Sequence, residues 1–282
     1  MHFVLTFTTI AVLYIALLIP FSKYMSDRPV AVKVGYLPDA KVVKLLVADQ
    51  RYLFAQYAVA KVLIYYGTLM DKLKQKVIIT PEHDEMFKIL HTAAVLDPYN
   101  LDVYYFAQAI FAWETGRTSE VNELLDYGMR YRRWDYQLPF FAGFNSAYFL
   151  KDYASAASYM KIAAERSQNP LMISLASRYL YESGQSEFGI YFLDSMLKTT
   201  LNPSIKSMYE LRIKALQTVI EIKKAVKHYV VKTGNQPTTL KQLQNAGMLE
   251  IIPQDPYGGE FYLDRDGTVR STSKFALKDR GH

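Results

Sequence analysis

A chain of 282 residues that is 50% hydrophobic and 21% charged, with only 13 Gly and 11 Pro, suits one extended repeat array or two compact domains and excludes a disordered or collagen-like protein. Its lack of cysteine removes disulfides, thiolate metal centres and a cysteine nucleophile together. A net charge of +6 is a weak pull toward anionic lipid, acidic protein or nucleic acid, and 23 Tyr with 15 Phe exceed what one core needs, so aromatics must also line helix seams or a groove.

From Phe3 to Ser22 the chain carries no charge, and twenty helical residues rising about 1.5 Å each match the roughly 30 Å hydrocarbon core of a bilayer. The run reads as a membrane segment or a signal peptide. It is longer than a usual signal h-region and no small-x-small cleavage motif follows Pro20, which favours an uncleaved anchor over residues 1–24. No polar stripe interrupts it, against a buried core helix. Lys23, Arg28 and Lys33 follow, and taken alone they put the body in the cytoplasm.

Residues 25–44, with Pro29 and Pro38, are expected to form an extended linker. A helix is expected from about Leu45, with Leu46, Leu53, Tyr57, Ala60 and Ile64 on one stripe, Gly67 as terminator and a lysine-rich connector from Asp71 to Lys76. Pro81, Glu82 and Asp84 open the next helix, which Asp97–Pro98 closes after Leu96.

Gly116 and Gly184 then lie 68 residues apart, twice 34, and the halfway point at Leu150 is expected to be another helix-to-helix turn. Superposing the units aligns Leu125, Tyr159 and Leu193, then Met129, Ala163 and Leu197, and less cleanly Tyr104, Leu138 and Met172. Pro98, Pro170 and Pro203 mark unit ends. Within KDYASAASYMKIAAERSQNP, Tyr153, Ala156, Ala157, Met160 and Ala163 alternate small and bulky. On this period and these residues the stretch from Glu82 to Pro203 resembles the tetratricopeptide family, within a repeat region placed at 45–203. Gln108 and Asn145 depart from positions the family keeps small or apolar, and an ordinary helical bundle is the alternative. The resemblance implies stacked helix pairs around a groove that takes a peptide or helix, with Tyr105, Trp113, Ser177 and Tyr181 facing it. For each residue singly, core packing is the competing reading.

Residues 204–282 change class. A long helix carries Met208, Leu211, Leu216, Val219, Ile222, Val226 and Tyr229 on one stripe and ends at Gly234; a short proline-started helix and a β-hairpin with an Asp-Gly turn follow. Ala225 and Tyr229, Thr233-Gly234, Pro237, Leu240 and Leu243, and the turn Pro253, Asp255-Pro256-Tyr257-Gly258 leading to Tyr262 make this segment similar to the soluble part of the type II secretion major pseudopilin. In that family the helix continues from the membrane segment, whereas here about 180 residues intervene. The resemblance therefore implies a pilin-like module appended to a repeat array. It also implies a calcium loop, for which Asp264, Asp266 and Ser271 offer oxygens, the alternative being a solvated turn.

None of the histidines His2, His83, His91, His228 and His282 has another four residues away, and no nucleophile elbow, phosphate loop or dinucleotide turn occurs, so no enzymatic activity and no cofactor beyond calcium is expected. The run Arg130, Tyr131, Arg132, Arg133, Trp134 interleaves bases with aromatics as single-strand nucleic-acid binders do; its alternative is a connector between repeats. Together these readings describe a mainly α protein with a transmembrane helix, a TPR-like superhelix and a small α+β module. The expected role is a single-pass scaffold in a bacterial inner membrane that binds a pilin or secretion-system component and no small-molecule substrate. The pseudopilin resemblance leans toward a periplasmic body while the basic flank points the other way. The rival is a cytoplasmic repeat protein binding nucleic acid.

Overall fold

The charge-free N-terminal run is helical throughout as α1 (His2–Ser26), in a computed structural model that describes residues 2–26, 33–77 and 79–275. Arg28 of the predicted basic flank and His282 lie outside the described residues. The protein is mainly helical, with one two-stranded antiparallel sheet among the described residues, and it divides into two compact units, Met1–Leu96 and Asp97–His282.

In the first unit, the Asp39 carboxylate accepts from the Lys41 N–H at 2.9 Å and starts α2 (Ala40–Val47). A single 3₁₀ turn, Ala48–Gln50, separates it from α3 (Arg51–Lys74), which packs on α4 (His83–Leu96). The expected helix start at Leu45 thus moves to Ala40. The expected stop at Gly67 is overridden, because Tyr65 and Leu69 on either side of it are buried and outweigh the roughly 1 kcal/mol a helical glycine costs. The buried side of α3 is Ala55, Ala58, Val59 and Val62, small residues that let α4 approach. The expected stripe of Leu46, Leu53, Tyr57, Ala60 and Ile64 faces away from this core and is exposed. Residues 33–39 are no free linker: Val34 and Leu37 are buried, and the Val34 N–H donates to Glu82 at 2.8 Å while the Glu82 N–H donates to the Tyr65 hydroxyl at 2.9 Å. Among the described residues, Ala40–Lys74 is long and apolar enough, by length and composition, to cross a membrane.

The second unit begins with α5 (Leu101–Ala107), which continues through a π-helical turn at Gln108–Ala112. Then come α6 (Thr118–Tyr131), α7 (Gln137–Tyr148), α8 (Tyr153–Ser167), α9 (Pro170–Glu182), α10 (Ser186–Thr199) and α11 (Pro203–Thr233), each packed on the helix before it. Asn100, Asn169 and Asn202 cap α5, α9 and α11 from the same position, each accepting from the N–H two residues on. Within each pair the turn contains one left-handed residue, Gly116, Lys151 and Gly184, so the halfway turn expected at Leu150 falls one residue later. The weakly aligning first-helix residues Tyr104, Leu138 and Met172 are all buried.

Gly234, left-handed at φ 72°, ends α11 where its N–H donates to the Val230 carbonyl. Beyond it lie α12 (Leu240–Asn245) and the hairpin of β1 (Phe261–Leu263) and β2 (Val269–Ser271), paired Phe261 to Ser271. One apolar core runs from Ala157 and Met160 on α8, through α9, α10 and α11, to Phe261, Val269 and Phe275. The expected domain boundary at 203/204 is therefore no seam; the hairpin segment completes the core of the last helices.

Candidate functional site

Tyr105 and Trp113, two of the four residues expected in a groove, are 53% and 54% exposed and flank the π turn that continues α5. A π turn inserts one residue into the helix and rotates everything beyond it. Beneath it lies a buried amide ladder. Gln108 Nε2 donates to Asn145 Oδ1 at 2.8 Å, Asn145 Nδ2 returns a bond to Gln108 Oε1 at 2.7 Å, and the same amide reaches Asn122 Oδ1 at 2.8 Å. Asn122 in turn donates to the Ser146 hydroxyl at 3.3 Å. The two departures from the repeat pattern thus satisfy each other, locking the π turn, α6 and α7 in one register.

Beside this ladder the rings form two groups, Trp113 with Phe144, Tyr148 and Phe149, and Tyr105 with Phe141. Trp113 lies 5.8 Å from Phe144, 5.6 Å from Tyr148 and 5.0 Å edge-on from Phe149. Phe144 and Tyr148 stack at 5.3 Å, and Lys151 Nζ sits 5.3 Å from the Tyr148 ring centre. Tyr105 joins Phe141 at 6.4 Å. Rigid aromatics held on packed helices, half in water, carry large apolar contact area at little entropic cost, the composition of interface hot spots. The sequence reading missed Phe144, Tyr148, Phe149 and Lys151; the polar pair Gln108 and Asn145 was the signal of irregular packing here.

Ser177 and Tyr181, expected in the same groove, are buried instead. Ser177 donates to the Ser174 carbonyl at 2.9 Å. The Tyr181 hydroxyl donates to the Val269 carbonyl at 3.0 Å and its ring lies 4.5 Å from Phe275; burial pushes its pKa well up. The C-terminal segment covers α9, a layer that a plain repeat register does not contain.

In the basic run, Arg132 is committed to structure. It forms an ion pair with the buried Asp135 at 2.8 Å, donates to the Tyr99 carbonyl and lies 5.6 Å from the Trp134 ring, on which Tyr99 stacks. Arg166 closes the corner by donating to the Asp135 carbonyl at 2.8 Å. Arg130, Arg133 and Trp134 are exposed, with Arg133 bonded to the Arg130 carbonyl at 3.3 Å. Within the run, then, Arg132 is held by local contacts while Arg130, Tyr131, Arg133 and Trp134 face solvent.

The proposed calcium ligands are not brought together. Asp264 and Asp266 accept from the Arg265 and Thr268 N–H groups at 2.8 and 2.9 Å in an exposed turn, which holds the Asp266 carboxyl below its ordinary range. Ser271 is buried and donates to Asp255. Among the described residues no cluster of three or more His, Asp or Glu is placed to hold a metal.

Asp255 organises that end of the molecule, accepting from the Tyr257 N–H at 2.9 Å and from the Ser271 and Ser273 hydroxyls. Tyr257 accepts from Arg212 Nε at 3.0 Å, and Arg212 Nη2 donates to the Phe275 carbonyl at 2.8 Å. Arg212 is buried on α11, and desolvation lowers its pKa. It faces π clouds of Tyr257 and Phe275, with Nη1 lacking a hydrogen-bond partner among the described residues. No protein-family model, curated protein or solved structure matches this chain.

Proposed function

We propose that this protein is a membrane-anchored helical-repeat scaffold that captures a protein partner during assembly of a bacterial envelope complex of secretion or pilus type. The observation that carries the reading is the half-exposed aromatic cluster of Trp113 and Tyr148 over Phe144 and Phe149, mounted on helices whose register the buried amides lock. Such a surface offers apolar faces and one cation, Lys151, and suits an aromatic or aliphatic partner segment with an acidic neighbour. Support for the anchor is the charge-free run of α1, whose described side chains are all exposed. Support for the scaffold is the helix-pair period, which resembles tetratricopeptide repeats, and the Asp255-Pro256 turn and hairpin, which resemble a pseudopilin. That likeness favours a periplasmic body.

The test is co-purification of envelope components, pilin-type subunits among them, with full-length tagged protein from membranes. Replacing Trp113 and Tyr148 together by Ala is expected to weaken capture at least about tenfold, the loss of two hot-spot side chains, with the helical circular-dichroism signal retained. Unchanged capture by the double variant would refute the aromatic face as the docking element.

A further inference from the structure

Among the described residues no protein covers the outer face of α2 and α3, and the chemistry of that face bears on what does. Leu53, Tyr57, Ala60 and Ile64 recur at intervals of four, three and four, which puts them on one side of α3, opposite the buried Ala55, Ala58, Val59 and Val62. Leu53, Tyr57 and Ile64 are 67%, 59% and 71% exposed, and Leu45 and Leu46 extend the face onto α2 at 82% and 72%. An α-helix apolar on both sides is stable in water only if something else takes the second side.

Charge decides what that is. Residues 1–77 hold 10 of the 33 Lys and Arg but only 4 of the 27 Asp and Glu, so the chain's entire +6 lies there, while the remainder carries 23 of each. Lys41, Lys44, Arg51 and Lys61 are borne by the two helices that carry the face. An apolar face with basic residues and tyrosines on the same helices is the composition of a helix lying in a membrane interface. The geometry also permits it: Ser26 and Ala40 are 14 residues apart, so α2 begins at most roughly 50 Å of chain from the end of α1.

We propose that α2 and α3 lie on an anionic lipid surface, with Leu45, Leu46, Leu53, Tyr57 and Ile64 in the headgroup–acyl boundary and the basic side chains among the lipid phosphates. This second membrane contact rests on the anchored reading of α1. It would hold the first unit flat on the bilayer.

The cysteine-free sequence allows a single environment-sensitive fluorophore to be placed on Leu53→Cys, Ile64→Cys or, as a marker for α1, Leu13→Cys, in the full chain. Each is reconstituted into vesicles of phosphatidylcholine alone or of equal parts phosphatidylcholine and phosphatidylglycerol, with spin-labelled lipid quenching either at the headgroup or deep in the acyl region. Positions 53 and 64 are expected to be quenched by the headgroup probe, several-fold more with phosphatidylglycerol, and to lose that excess in high salt. Changing Lys41, Lys44 and Lys61 to Gln should remove the dependence on lipid charge. If position 13 is quenched but 53 and 64 are not, the anchor stands and the docking is refuted; if all three are unquenched, both fall. Quenching at 53 and 64 mainly by the deep probe, whatever the lipid charge, overturns surface docking in favour of a spanning helix. Protection from aqueous iodide without lipid quenching overturns it in favour of a protein cover.

Discussion

Tyr159 shows how one side chain ties two helix pairs together. Its hydroxyl donates to Asp126 at 3.0 Å, linking α8 to α6, and burial with the adjacent Asp126 charge pushes its pKa up to about 12 from 10.0. The folded state therefore holds this proton more tightly than the unfolded chain does. Its stabilisation is complete below pH 10 and is lost as pH rises toward 12. Tyr159→Phe is expected to lose less stability than the parent over that range, by about 1 kcal/mol after allowance for solvent screening of a half-exposed group. Urea midpoints of both proteins at the two ends of the range test this, and parallel pH profiles would contradict it. Sequence alignment placed Tyr159 beside Leu125 and Leu193 as an equivalent apolar position. That Asp126 stands within reach of its hydroxyl depends on how α6 and α8 pack, which no spacing along the chain records.

Elements were legible where local chemistry acts alone. Gly234 stops α11 as expected of a left-handed cap, whereas the caps Asn100, Asn169 and Asn202 emerge only in the structure. Gly67 was misread because a glycine's weak preference yields to burial across the helix. The two helical glycines at 67 and 128 now separate cleanly. A Cβ at Gly67 meets nothing within 4 Å, so Gly67→Ala should stabilise α3 by about 0.5–1 kcal/mol and slow its amide exchange about two- to fivefold. At Gly128 a Cβ would lie 2.6 Å from the Tyr104 ring and 2.9 Å from Leu138, so Gly128→Ala should force α6 outward and speed exchange in α5 to α7. Equal effects at the two positions would mean that helix propensity, and not packing, governs both.

At the scale of the second unit, the hairpin and the helices α8 to α11 share one core. Tyr181 on α9 bonds to Val269 on β2, Arg270 pairs with Glu182, and Lys223 on α11 donates to the Gly184 carbonyl at 3.2 Å. The C-terminal segment is thus packed against α9 to α11 where the sequence suggested a separate module. Asp255→Ala leaves two hydroxyls and the Tyr257 N–H without their acceptor and should cost about 3 kcal/mol. Because the core is continuous, amide protection should fall in α9 and α10 as well as in β1 and β2. A loss confined to the hairpin would show that residues 204–275 fold as an independent piece.

Length, absence of cysteine, the charge-free first helix, the helix-pair period and the Gly234 stop followed from the sequence alone, because each depends on residues close along the chain. Which side of an element is buried did not. The stripe Leu46, Leu53, Tyr57 and Ile64 has the spacing of a core face, yet α4 packs on the smaller residues opposite. The tetratricopeptide resemblance implied groove positions for Ser177 and Tyr181, yet a segment some 88 residues away covers Tyr181. The Gln108–Asn145 amide pair, 37 residues apart, likewise exists only once α7 packs beside the π turn. Periodicity identifies a face and its polarity; the partner that covers it is chosen by packing between residues distant in sequence, and only the tertiary structure decides that.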